Sequence, residues 1–147
     1  MFTSHMDLAL EEARKAAQSG EVPVGAVIVK EGKVIARACN ETRTRPDPTA
    51  HAELLAIQRA ALVLGQERLE GCDLYVTLEP CAMCAGAIAA ARIARVYYGA
   101  SDPKSGGVEQ GARVFEQVQS HHRPEVYSGL CEEEAADLLR AFFAARR

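Results

Sequence analysis

The sequence predicts an α/β fold: a three-layer α/β/α sandwich around a mixed sheet of about five strands, built by one domain over residues 1–147. Three observations predict it. Strand-like runs alternate with helical segments, which places helices on the faces of a sheet. The first two strand-like runs are separated only by Glu31-Gly32, a hairpin signal, so the sheet mixes antiparallel with parallel neighbours. A chain of 147 residues, 48% of them hydrophobic, is long enough for one core and too short for two ordinary domains.

The elements follow in order. Ser4 with Asp7 forms a capping-box pattern, and Leu8, Ala9, Glu12, Ala13 and Ala16 recur at helical spacing, predicting a helix over residues 4–19 that Gly20 stops. Residues 24–29 and 33–39, rich in Val, Ile and Ala, are the two hairpin strands. Residues 40–49 hold Pro46 and Pro48 among polar side chains and form a surface loop. Leu54, Ile57, Ala61 and Leu64 mark one face of a second helix, from Ala50 to its end at Gly65. Residues 73–78 are a buried strand, and Pro80 presets the backbone for a third helix over residues 81–91. A strand over 95–99, a turn-rich loop over 101–107, a short helix over 114–118, a short strand over 125–127 and a final helix over 132–145 complete the chain.

Composition excludes several classes. No apolar run approaches the roughly 20 residues that span a bilayer, and residues 1–17 carry charges where a signal peptide needs an apolar stretch, so a cytoplasmic protein is expected. Five cysteines, of which only Cys81 and Cys84 are close in sequence, do not make a disulfide framework. Cys39, Cys72 and Cys131 sit in apolar contexts as packing residues. A formal charge of −3 draws no phosphate from a distance, so any nucleic-acid site rests on a local basic patch. His121 and His122 precede Arg123-Pro124 and are expected as exposed turn residues.

The chemistry lies in His51-Ala52-Glu53 and Pro80-Cys81-Ala82-Met83-Cys84, each at the start of a helix. Side chains three apart on a helix share a face, so Cys81 and Cys84 reach one ion. The positive end of that helix favours their thiolates. His51 adds a nitrogen donor, giving three protein ligands and one open tetrahedral position, the mark of catalytic rather than structural zinc. Glu53 lies close enough to handle protons without binding the metal. Each motif alone has an ordinary reading: a redox pair, a packed histidine, a carboxylate complementing a helix dipole. Together they point to one catalytic zinc per chain.

His-x-Glu with Pro-Cys-x-x-Cys resembles the cytidine deaminase superfamily, for which it is the known signature. Within it, Glu21-Val22-Pro23-Val24-Gly25-Ala26-Val27, Asp47-Pro48-Thr49-Ala50-His51-Ala52-Glu53 and residues 77–87 resemble the tRNA adenosine deaminase family across nearly the whole chain. The resemblance implies a cytidine deaminase-like fold, Zn2+ held by His51, Cys81 and Cys84, and Glu53 as proton shuttle. The implied reaction is hydrolysis at C6 of adenosine, giving inosine at the wobble position of a tRNA anticodon. It also matches Asn40, otherwise a simple turn residue, to the family's base-contacting asparagine, and it implies a homodimer.

For RNA contact the candidates are Arg43 and Arg45 in the first loop, Lys104 in the 102–107 loop, and Phe142, Phe143, Arg146 and Arg147 at the end of the chain, where the family approaches the anticodon arm. The arginines also suit the negative end of the last helix, and the phenylalanines also suit a core or dimer interface. The sequence departs from the family in having Glu41-Thr42 after Asn40 instead of Arg-Pro, and in lacking a Gly-Ser-Leu run within residues 106–115. Two other readings stay open: a deaminase of free guanine, cytosine or cytidine, and a structural-zinc or redox Cys-x-x-Cys binding module without turnover.

Overall fold

Ser4 caps the first helix, α1 (His5–Gln18): its hydroxyl accepts from the Asp7 N–H while the Asp7 carboxylate accepts from the Ser4 N–H, so the two ends satisfy each other. The structure, a computed structural model, describes residues 4–146, and Arg147 lies outside them. Met6, Ala9, Leu10, Ala13 and Ala16 form the buried stripe of α1. The hairpin strands β1 (Gly25–Lys30) and β2 (Lys33–Cys39) turn at Glu31 and Gly32, with φ of 51° and 78°. Both lie in the left-handed region that the two-residue hairpin requires.

Then come α2 (Ala52–Leu64), β3 (Cys72–Leu78), α3 (Ala82–Ala91), β4 (Arg95–Ala100), a 3-10 turn at Val114–Glu116, β5 (Glu125–Tyr127) and α4 (Glu132–Ala144). The 3-10 turn is shorter than the helix expected over 114–118 and ends at Gln117, whose backbone is extended. The sheet order is β2-β1-β3-β4-β5. β1 is antiparallel to both β2 and β3, whereas β4 is parallel to β3 and to β5. The mixed five-stranded sheet is as the sequence predicts.

Alternation along the strands divides the core in two. Ala26, Ile28, Leu74, Val76, Val96 and Tyr98 face α2 and α3, while Val27 and Val29 meet Met6 and Ala9 of α1; at the last residue of β4 the alternation gives way, and Ala100 packs with Leu10 and Ala135 of α1 and α4. Helices therefore cover both faces. α1 approaches β1 so closely that a Cβ at Gly25 would lie 2.0 Å from the Ala9 carbonyl oxygen, which reserves that position for glycine. Among the described residues, no helix is long and apolar enough to cross a membrane. Cys72 is buried and Cys39 and Cys131 half-buried, all three as free thiols. His122 is half-buried rather than exposed, its Nε2 2.7 Å from the Ile93 carbonyl oxygen.

Candidate active site

The starts of α2 and α3 meet beside the C-terminal ends of β2 and β3. His51 is the N-cap of α2 and Cys81 the N-cap of α3, both with extended backbone and neither spending its side chain on the cap. Their side chains are thus free to face each other. His51 Nδ1 lies 3.4 Å from Cys84 Sγ and 3.7 Å from Cys81 Sγ. The three donor atoms all fall within 4.8 Å of one another. A tetrahedral zinc with bonds of about 2.3 Å to sulfur and about 2.0 Å to nitrogen sets sulfur–nitrogen separations of roughly 3.5 Å, so the donor set fits that ion.

The electrostatics agree. Cys81 is lowered to about 4, first by the hydrogen bond it receives from Cys84 and then by His51, against the opposing effect of burial. Cys84 is raised, because it holds the proton the two sulfurs share and is also desolvated. His51 is raised by its hydrogen bond with Cys81. A divalent cation in place of the shared proton satisfies both sulfurs at once.

Glu53, in the first turn of α2, is 4% exposed, and burial pushes its carboxyl up to about 7. It lines the same cavity as His51 and Cys81 but is outside the cluster of three donors. The cavity measures about 230 Å3, with Val22, Val24 and Leu78 as apolar walls and Asn40, Thr42, Asp102 and Ser105 as polar ones. Asn40 Oδ1 accepts from the Ala52 N–H at 2.8 Å, satisfying a free donor at the start of α2. That bond fixes the amide, so its NH2 is the group left for a ligand.

Two buried carboxylates shape the walls. Glu21, 1% exposed, accepts from the N–H groups of Arg43 and Thr44 and from the Thr42 hydroxyl. Glu79, 2% exposed, accepts from four backbone N–H groups of the 102–110 loop. Sequence reasoning missed both, along with Thr42, Asp102 and Ser105. The one available signal was an acidic residue inside an apolar stretch, Leu78-Glu79-Pro80.

A second cavity of about 480 Å3 opens beside the first and shares Val22, Leu78, Asp102 and Ser105 with it. Lys104 and Phe143, both singled out from the sequence, line it, and Phe143 is 47% exposed. Phe142 is 5% exposed, with Arg146 3.5 Å and Arg43 5.8 Å from its ring centre, so its ring is packed among its own chain's side chains. Arg43 also donates to the Gly20 carbonyl, and Arg45 pairs with Glu41 at 3.2 Å.

The MafB19-like deaminase model matches residues 2–147. A tRNA-specific adenosine deaminase of Agrobacterium fabrum is 60% identical over 145 residues, covering 99% of this chain and 95% of that one. A solved structure from work on A-to-I editing by tRNA deaminases at the wobble position of transfer RNA has a TM-score of 0.91 at 61% identity, over 92% of this chain and 98% of that one. The guanine deaminase of Bacillus subtilis is more distant, with a TM-score of 0.67 at 36% identity over 97% of this chain and 91% of that one. This chain belongs to the MafB19-like deaminases and, among them, to the tRNA-specific adenosine deaminases.

Proposed function

We propose that the protein hydrolyses the exocyclic amine of adenosine in tRNA, at the anticodon wobble position, releasing ammonia and leaving inosine. The observation that carries this reading is the placement of one imidazole nitrogen and two sulfurs around a single point, with the Glu53 carboxyl beside them in the same cavity. His51, Cys81 and Cys84 would hold one Zn2+, which when bound would supply an open coordination position and make water acidic near neutral pH. Glu53 takes a first proton from the attacking water and passes it to the ring nitrogen beside C6; it then takes the second proton from the hydroxyl now on C6 and delivers it to the amine, so that the C–N bond breaks, ammonia leaves and the C6 carbonyl of inosine forms. Val22, Val24 and Leu78 exclude water from the base, and the Asn40 NH2 donates to an acceptor on its edge.

An RNA substrate needs room beyond the reacting base. The second cavity offers it: Lys104 suits a phosphate there and the exposed Phe143 ring suits a flanking base. The exposed Arg43, Arg45 and Arg146 suit further phosphates. Residues from Val22 to Phe143 line the two adjoining cavities, which supports treating 1–147 as one catalytic domain. α3 is apolar all round yet leaves Ala82, Met83, Gly86 and Ala90 exposed, and such a face supports pairing with a second copy of the chain.

The test incubates the protein with unmodified tRNA, an anticodon minihelix, and free adenosine, guanine, cytosine and cytidine, and follows inosine and ammonia. Inosine in tRNA and in the minihelix is expected. The 36% identity to a guanine deaminase makes guanine the informative competitor. Conversion of guanine with untouched tRNA would replace this reading by the free-base one.

A further inference from the structure

We infer that Glu79 is a positioning residue that sets the substrate-facing wall of the cavity, an inference that rests on the tRNA reading above for its choice of substrate. Glu79 follows β3 directly and precedes Pro80 and Cys81. Its side chain is 2% exposed and forms no ion pair among the described residues. What it meets is backbone. Oε1 accepts from the Asp102 N–H at 3.0 Å. Oε2 accepts from Val108 at 3.2 Å, Glu109 at 2.8 Å and Gln110 at 3.0 Å. Both ends of the loop are thereby drawn to one side chain.

The loop is built to let this happen. A Cβ at Gly106 would lie 2.6 Å from Glu79 Cδ and 2.6 Å from the Asp102 carbonyl oxygen, and one at Gly107 would lie 2.5 Å from the Ala82 nitrogen. The Gly107 N–H donates to the Pro80 carbonyl at 2.8 Å, and Gly106 bridges Cys81. Tyr98, 1% exposed, donates its hydroxyl proton to Glu109, holding the far end of the loop over β4. The segment so fixed presents Asp102 and Ser105 to the catalytic cavity, and these two with Ser101 and Lys104 to the adjoining one.

Four N–H donors need acceptors, and a carboxylate offers two oxygens and no donor, whereas a glutamine amide turns an NH2 toward some of those same donors. Glu79 borders the catalytic cavity but is outside the cluster of three donor atoms, and both of its oxygens are engaged by loop N–H groups. Its effect therefore falls on how the substrate is seated, not on the bond being broken.

Glu79→Gln should raise KM for the anticodon minihelix by about tenfold while kcat stays within about threefold, the pattern of lost uniform binding. Zinc content should remain near one per chain, and amide hydrogen exchange at 102 and 108–110 should quicken. Glu79→Asp, which keeps both acceptor oxygens on a shorter arm, should recover part of the KM loss. An unchanged KM, a fall in kcat alone, or a Glu79→Asp enzyme as poor as Glu79→Gln overturns the inference. Should Glu79→Gln fail to fold, Gly106→Ala takes its place, since it displaces the loop with the carboxylate intact; the same KM rise is expected, and its absence is decisive against the inference. If wild-type protein makes no inosine, the functional reading fails instead, and the exchange measurement still decides the role of Glu79.

Discussion

Glu53 and Glu21 are both buried glutamates, and their surroundings push them in opposite directions. Around Glu53 desolvation dominates and the carboxyl rises to about 7. Replacing it with Ala should cut inosine formation by at least about a hundredfold, the scale of general acid–base catalysis, while metal analysis still finds zinc near one per chain. An active Glu53→Ala enzyme would remove Glu53 from the chemistry. Around Glu21 burial also pushes upward, but N–H donors from Arg43 and Thr44 outweigh it, and its pKa falls below the ordinary 4.5. A depressed carboxylate contributes stability that is fully present above about pH 4.5 and is lost as the pH falls through its folded value. Glu21→Gln should therefore lower Tm at neutral pH and flatten the acid side of a Tm-against-pH curve; parallel curves for the two proteins would refute this. That His51, Glu53, Cys81 and Cys84 come together was legible in the sequence, because their grouping depends on spacing at the starts of two helices. Glu21 and Glu79 were not, because they serve loops 20 to 30 residues away whose return could not be read from local pattern.

At the scale of elements, the helices and strands appear where capping, hairpin and periodicity signals put them, with ends moved by a residue or two. The 3-10 turn at Val114–Glu116 came out shorter, since Phe115 is held by burial rather than by helical periodicity. His122 is drawn inward by the Ile93 carbonyl, a partner invisible without the fold. Gly25 had no local signal either; its reason is the backbone of α1 across the sheet. Gly25→Ala should cost about 1–3 kcal/mol through overpacking, read as a lower urea midpoint with an unchanged m-value. A midpoint equal to wild type would show that α1 shifts freely.

For the whole molecule, the exposed apolar face of α3 sets the expectation of a homodimer. Sedimentation at micromolar concentration should give twice the chain mass, and Gly86→Arg, at a position with nothing within 4 Å of a new Cβ, should yield a folded monomer. A wild-type monomer would count against that face as an interface. The three donors for the metal come from two helices separated by β3, so the unfolded chain cannot present them together. Mass action then joins metal supply to conformational equilibrium: free ion at a hundred times its dissociation constant adds about 2.7 kcal/mol to the native state. Dialysis against a strong chelator should depress Tm and readdition of zinc should restore it; with zinc bound at this site, the folded fraction would follow the free zinc concentration around the protein.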